Sequence, residues 1–498
     1  MISMEIKKII QTAKRRGFIW PSSEIYGGIS GFFDLGPVGL LLKRKVENSW
    51  REFFLKTDNI FEIETSTIMP EKVWNASGHL KHFIDPITQC SKCKGFYRAD
   101  NLIQEVTGKF VEGMKPEEMT KIIRESNIKC PKCGGELSDV RIFNLMLKTD
   151  VGPTSGNRSY LRPETAQGIF VNFKNILAAT RARLPFGVAQ IGKSYRNEIS
   201  PRQWITRLRE FHQMEIEMFF DPNNENVKNF EKFSKTKVRI FTRDQQKKNE
   251  NPLEISIEEA VEKGILPNKW IGYFIAKEFL WYQQLGIPPE AIRFRHMLPE
   301  ETPHYSKGNF DMEIKFDFGW KEVVGNAYRT DYDLSTHMKY SGENFSIMVN
   351  DKKIVPHVVE PSFGIDRTIY GILFYCFVED KKRGWNWFRF PPKISPYTVA
   401  VFPLVNKDGL QEKAKEVFNQ IKGCYDSFYD DSGSIGKRYA RADEIGIPFA
   451  VTIDYQTLED NTCTIRDRDT TKQKRVKISE LTNIIWSLVF SGKKFEEI

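Results

Sequence analysis

The chain of 498 residues has no apolar run approaching the roughly 20 residues that a membrane span requires. Its best candidate, Gly371 to Val378, is stopped by Glu379-Asp380-Lys381-Lys382-Arg383. A secretory leader is not expected, because Lys7, Lys8, Lys14, Arg15 and Arg16 break any hydrophobic stretch near the start. A mitochondrial presequence suits the basic first sixteen residues better, but Glu5 and the pattern Ile6, Ile9, Ile10, Ala13 run into the folded body. The cytosol is the expected compartment. Neither internal repeats nor low-complexity tracts occur, and 40% hydrophobic with 28% charged residues excludes disordered and collagen-like chains. The sequence also offers no convincing nucleophilic Ser, Cys or Lys.

What is present is organised. Net charge is +9, and from Pro391 onward 16 basic residues balance 16 acidic ones, so the excess lies earlier. That distribution permits a polyanionic partner held mainly by the larger N-terminal part. Pro391-Pro392-Lys393-Ile394-Ser395-Pro396 is the clearest seam, since proline can continue neither a helix nor an inner strand. Beyond it, strand patterns at Tyr397–Leu404 and Phe449–Ile453 alternate with helical patterns at Gly409–Ile421 and Ser479–Val489. This reads as a compact α/β domain. The Asn-, Lys- and Glu-rich stretch Asp221 to Asn251 reads as a surface insertion.

Seven cysteines occur, four of them as Cys90-x-x-Cys93 and Cys130-x-x-Cys133 in turn-like contexts. Two such knuckles bring four soft thiolates onto one tetrahedral ion, and the absence of nearby His predicts a closed structural zinc site. Cys376, Cys424 and Cys463 read as ordinary core thiols.

Three separated segments carry chemistry. In the first, strand patterns at Phe186–Ile191 and Phe211–Phe220 flank an Arg-rich loop, predicting a long hairpin. Period two puts His212, Met214, Ile216 and Met218 on one face. Arg209, Phe211, Gln213, Glu215 and Glu217 fall on the other, a mixture suited to a polar pocket floor. The second, Glu360-Pro361-Ser362-Phe363-Gly364-Ile365-Asp366-Arg367, leads into an apolar helix Thr368–Val378. Its glycine allows close backbone approach, and its Arg suits an anion clamp. The third holds Glu322, a candidate Mg²⁺ ligand, and Arg329, a candidate carboxylate fork.

The loop Arg196-Asn197-Glu198 and the Gly364-Ile365-Asp366-Arg367 turn resemble motifs 2 and 3 of the class II aminoacyl-tRNA synthetases. The helix Val38–Leu55 and strand Ile60–Met69, ending at Pro70, resemble motif 1 at a dimer interface. Several further segments resemble the homodimeric glycyl-tRNA synthetases: Gly31-Phe32-Phe33-Asp34-Leu35-Gly36-Pro37, Trp74-x-x-Ser77-Gly78-His79, Tyr97-Arg98-Ala99-Asp100, Arg162-Pro163-Glu164-Thr165-Ala166-Gln167-Gly168 and the stretch from Asp431 to Asp443. Val323 departs from the Leu more usual in that family. Synthetases for threonine, proline or histidine share the core but not the amino-acid pocket. A non-catalytic nucleic-acid-binding protein on this scaffold would not need the ATP clamp of Arg196, Glu198, Glu322 and Arg367.

The resemblance implies an α+β fold: a class II antiparallel sheet with flanking helices, a zinc-binding insertion and a C-terminal α/β anticodon-binding domain. Its divisions are 1–84 and 151–390 for the catalytic core, with an insertion near 222–305, then 85–150 for zinc and 391–498 for the anticodon. It further implies a homodimer that attaches glycine to its tRNA through glycyl-adenylate, using ATP and Mg²⁺. By resemblance Arg196 holds the α-phosphate and the attacking carboxylate, Arg367 takes the γ-phosphate, and Glu322 carries Mg²⁺, these three being the catalytic set. Phe211 stacks on adenine and Glu198 lies near its amino group. Asn197, Thr206, Arg207, Leu208, Arg209, Glu210, Val323, Gly364, Ile365 and Asp366 complete the ATP site. Glu164, Glu215 and Glu360 grip the glycine ammonium, and Ser362 approaches the α-carbon. Arg329 and Arg98 balance charge near the substrate carboxylate, and Phe211, Gln213 and Gly364 complete the glycine site. Arg438, Tyr439 and the basic stretch Arg466–Lys477 are candidate anticodon readers.

Overall fold

A nine-stranded sheet carries the site. Its strands are β1 (Ile60–Glu62), β2 (Phe186–Tyr195), β3 (Glu210–Phe220), β4 (Lys237–Phe241), β5 (Leu253–Ser256), β6 (Ile292–His296), β7 (Asn309–Phe316), β8 (Gly319–Thr330) and β9 (His357–Gly364). They lie in the order β5-β4-β6-β7-β8-β9-β3-β2-β1 and pair antiparallel except β1 with β2 and β4 with β6. This computed structural model describes residues 4–498 apart from 110, 112, 154–157, 200, 202 and 203 and the side chains of residues 4 and 5.

The two faces follow the period-two pattern. Met214, Ile216 and Met218 of β3, Met312 and Ile314 of β7, Val324 of β8 and Phe363 of β9 enter one apolar core. Helix α1 (Pro37–Trp50) opens with proline in its first turn, where no amide partner is needed, and brings Trp50 edge-on to Phe363. Helix α2 (Lys269–Gln284) is capped by Asn268, whose side chain accepts from the Ile271 amide, and brings Trp281 edge-on to the same ring at 5.8 Å between centroids.

Several boundaries differ from the sequence reading. The strand expected over Ile60–Met69 divides into β1 and a short strand Ile68–Pro70 that pairs with Arg158–Leu161 in a separate sheet. Arg162 holds the bend, donating through Nη1 to the Thr65 carbonyl at 3.0 Å. After α1 the chain makes a π-helical turn, Arg51–Leu55, rather than continuing as α-helix. Helix α3 (Ile365–Tyr375) starts earlier than expected, so Asp366 and Arg367 lie in its first turn. The 222–305 region extends the catalytic sheet: β4, inside the expected surface insertion, buries Val238 and Ile240 by alternation with Lys237 and Arg239.

Residues 84–144 form a module with its own core, where Leu102, Ile103, Met119 and Ile123 pack beside Cys90, Cys130 and Tyr97. The C-terminal domain is a five-stranded sheet of β10 (Val399–Pro403), β11 (Ser427–Tyr429), β12 (Phe449–Ile453), β13 (Thr462–Asp467) and β14 (Gln473–Lys477), ordered β11-β10-β12-β13-β14. Here the anticodon reading needs correction. Arg438 is buried and spends its guanidinium on the carbonyls of Pro403, Asp431 and Gly433. Tyr439 bonds Thr452 and lies under Arg466, which is itself paired with Asp443. These groups satisfy buried polar atoms of the domain. Cys424 is exposed, not a core thiol.

Candidate active site

The second sheet face floors a cavity of about 230 Å³. Register builds it. Gln190 pairs with Glu215, Glu215 with Ser362, Ser362 with Gly325 and Gly325 with Asp311. One transverse row across five strands therefore points to the same side. At Gly325 a Cβ would stand 3.6 Å from Glu322 Oε1 and 4.0 Å from Asp311 Oδ1, so the missing side chain keeps open the space between two carboxyls. At Gly364 no protein atom comes closer than 3.4 Å to the Cβ position, so packing does not demand glycine there. That edge is free for a ligand.

The cavity has two ends. At one, Arg196 places its guanidinium 5.2 Å from the Phe211 ring centroid and donates through Nε to the Pro163 carbonyl. Arg367 donates to the Thr206 carbonyl and pairs with Glu322 Oε2 at 2.9 Å. Burial opposes a charge on Glu322, but Arg367 and Lys321 hold its carboxyl below the usual range. Glu198 pairs with Arg207. Asp366 accepts the His212 amide at 2.6 Å, joining α3 to β3.

At the other end carboxyls converge. Glu215 Oε2 accepts the Thr165 amide at 2.8 Å and the Thr165 hydroxyl, while Oε1 accepts Gln213 Nε2 at 2.8 Å and Ser362 Oγ at 2.5 Å. Ser362 thus spends its only proton on Glu215, accepts from Gln213 Nε2 at 3.3 Å and keeps one lone pair for another donor. Glu164 accepts from Gln167 and lies 3.3 Å from His79 Nε2. Burial opposes its charge, yet His79 and Arg329 keep its carboxyl well below the ordinary range. Burial pushes Glu360 up to about 8 against the pull of Arg329. Glu217, wholly buried with neither oxygen bonded, is driven well above the carboxylate range by burial and by Glu360. Gln213 Oε1 and Asn309 Oδ1, from two lining residues, are buried acceptors without partners.

Of the expected site residues, Arg196, Glu198, Thr206, Arg207, Leu208, Phe211, Glu322, Val323, Gly364, Asp366 and Arg367 line the cavity, as do Glu164, Gln213, Glu215, Glu360 and Ser362. Six expected residues do not. Arg98 binds Asp85 and Asp100 in the cysteine module. Asn197 bonds the Leu145 carbonyl through its amide, Arg209 bonds the carbonyls of Ser30 and Glu198, and Glu210 pairs with Lys193. Ile365 is core. Arg329 lies buried behind the floor, with Nε and Nη2 on Asp333 and Nη1 on Glu360 at 2.8 Å. A buried guanidinium needs such partners, which leaves it no fork for a substrate carboxylate. Sequence reading missed Asp311, whose signal is the polar alternation Asn309, Asp311, Glu313, and also Tyr305 and Asn309. Asp311 is raised well above the usual range by burial and by Glu322.

The cysteines do assemble. Cys90 and Cys133 sulfurs lie 3.5 Å apart, Cys93 and Cys130 sulfurs 3.6 Å, and all four within 4.8 Å of one another. Ligands about 2.3 Å from a tetrahedral zinc lie about 3.8 Å apart, so this donor set fits the ion.

A largely antiparallel sheet with an Arg-framed cavity, followed by a separate five-stranded domain, is the architecture of a class II tRNA synthetase, and the family models that the chain matches show that class. Residues 150–374 match the tRNA synthetase class II core domain (G, H, P, S and T), and residues 398–488 match an anticodon binding domain. The chain is 45% identical to a glycine–tRNA ligase of Pyrococcus furiosus, over 96% of this chain and 98% of that protein. It is 41% identical to those of Methanothermobacter thermautotrophicus, over 97% and 98%, and Aeropyrum pernix, over 99% and 98%. The chain belongs to the glycine–tRNA ligase family. Among the described residues, no helix is long and apolar enough to cross a membrane.

Proposed function

We propose that the cavity activates glycine with ATP, releasing pyrophosphate, and that the aminoacyl group then passes to the 3′ end of glycine tRNA. The observation that carries this reading is a charge deficit. Five carboxyls, Glu164, Glu215, Glu217, Glu360 and Asp333, crowd one end, Glu217 and Glu360 are driven toward their neutral forms, and among the described residues Arg329 is the only Arg or Lys ion-paired with any of the five. An ammonium offsets that deficit, and the free lone pair of Ser362 suits one of its three donors. Glu164 and Glu360 face it directly. Glu215 acts through Ser362 and Gln213. Selection of glycine then comes from gripping the ammonium and crowding the α-carbon, because an apolar pocket gains only about 1–3 kcal/mol per methylene.

At the opposite end Arg196 spans the α-phosphate and the attacking carboxylate, Arg367 takes the γ-phosphate, and Phe211 offers its face to adenine. Positioning and charge stabilisation suffice for in-line attack, with no covalent protein group. Glu322 and Asp311, meeting across Gly325, form a donor set that fits magnesium. When bound, that ion neutralises phosphate charge. Cys90, Cys93, Cys130 and Cys133 would hold a structural zinc. The chain works as a homodimer joined near Pro70, where Ile68 is exposed, and its compartment is the cytoplasm. ATP-dependent charging of glycine tRNA with radiolabelled glycine tests the reading. Charging is expected with wild type and lost in Arg196→Ala; charging unaffected by that substitution would contradict the assignment.

A further inference from the structure

The last residue of the segment Trp74-x-x-Ser77-Gly78-His79 reaches the carboxyl cluster, and its ring packs on Phe83, whose face also carries the Arg196 guanidinium at 5.3 Å. His79 is buried, and its Nε2 lies 3.3 Å from Glu164 Oε2. Its Nδ1 lies 2.8 Å from Ser77 Oγ. The ring is wedged between Trp74, edge-on at 5.5 Å between centroids, and Phe83 at 5.8 Å. Nε2 faces the Glu164 carboxylate at ion-pair distance, so that nitrogen carries the proton and Nδ1 accepts from the Ser77 hydroxyl. Ser77 is itself buried, and the other acceptor in reach of its hydroxyl, the Trp74 carbonyl, lies farther off at 3.4 Å.

The remaining contacts of Glu164 converge on its other oxygen. Gln167 Nε2 reaches Oε1 at 3.0 Å and Arg329 Nη2 reaches it at 3.5 Å. Both of those groups are shared. Gln167 also donates to Asp333 at 2.8 Å and accepts from His337, and Arg329 serves Asp333 and Glu360 at shorter distances. Among the described contacts, His79 is the only donor on Oε2. Without it, the carboxylate could turn about its terminal bond toward Arg329 and withdraw a lone pair from the cavity.

We propose that His79 is a positioning residue for amino-acid recognition: Ser77 sets its tautomer, and its Nε2–H fixes the Glu164 carboxylate with a lone pair facing the ammonium of the substrate. The inference rests on the reading that Glu164 receives that ammonium. His79 does not line the cavity and contacts no substrate. Its effect is confined to how well the ammonium is held, so KM for glycine responds while kcat at saturating glycine and KM for ATP do not.

The experiment is pyrophosphate exchange with full-length Glu164→Gln, His79→Leu and His79→Gln, varying glycine and ATP separately. Glutamine places an N–H near the position of Nε2, so it supplies the donor without the ring. His79→Leu is expected to raise KM for glycine about tenfold to a hundredfold, the range set by one hydrogen bond to a charged group. His79→Gln is expected to recover most of that loss. In a Glu164→Gln background, His79→Leu should add little. Glu164→Gln without effect on glycine KM overturns the underlying reading of the site. Glu164→Gln impaired while His79→Leu retains the wild-type glycine KM overturns this inference alone. So does His79→Gln as impaired as His79→Leu, or a rise in KM for ATP equal to that for glycine, which marks an effect passing through Phe83 to Arg196 rather than through Glu164. If His79→Leu does not fold, His79→Phe, which keeps an aromatic ring against Trp74 and Phe83 and removes the donor, takes its place with the same expected and overturning results.

Discussion

Replacing Glu215 with glutamine changes one atom of the pocket floor and almost nothing in volume. In the wild type both oxygens are acceptors: Oε2 holds the amide and hydroxyl of Thr165, and Oε1 holds Gln213 and Ser362. An amide turns one of those ends into a donor. If the NH₂ faces Thr165, a buried backbone N–H loses its partner. If it faces Ser362, that hydroxyl must accept from it and turn its own proton toward the cavity, where the ammonium needs an acceptor. The first arrangement costs stability; the second takes an acceptor from the ammonium, about 1.5–3 kcal/mol, or roughly tenfold to 150-fold in affinity. Arg196 and Arg367 belong to other contacts, so the phosphate end is untouched. Glycine-dependent pyrophosphate exchange at saturating ATP should show the whole loss in KM for glycine, with KM for ATP little changed. An unaltered KM for glycine, or a rise in KM for ATP of equal size, would refute this reasoning.

Glu278 of α2 is fully buried, bonded only to Asn326 through Oε2 at 2.9 Å, and burial pushes it up to about 8. The native state therefore keeps a proton that the unfolded chain releases between pH 4.5 and 8. Stability from this group falls as pH rises through that window, by up to about 1.4 kcal/mol per unit. Glu278→Gln keeps the acceptor and offers a donor to the unpaired Asn326 Oδ1, so thermal melts should show the variant gaining on wild type with rising pH; parallel curves would contradict this. Cys130→Ser should lose about one zinc per chain by metal analysis and impair tRNA charging more than pyrophosphate exchange, whereas zinc-free wild type from metal-free purification would rule out the ion.

Much of the site was legible because it lies on strands. Period two alone separates Phe211, Gln213 and Glu215 from Met214, Ile216 and Met218, and the Cys-x-x-Cys pairs announce their own convergence. Strand β12 has the bounds its apolar run predicts. What was not legible depends on register between distant segments. Only the pairing of β7, β8, β9 and β3 sets Asp311 and Glu322 on either side of Gly325, and only burial reveals Arg329 as the counter-ion of the floor. Arg438 and Tyr439 misled for a related reason: an Arg and a Tyr on a helix suit nucleic acid as well as they suit buried carbonyls, and only tertiary contacts decide. Strand β4 hid in a charged stretch because half its residues face outward.

Pyrophosphate exchange measured separately with each of the twenty amino acids tests glycine activation most directly. Glycine should support exchange, and alanine should do so far more weakly. Exchange supported better by threonine, proline, histidine or any other amino acid than by glycine would contradict it.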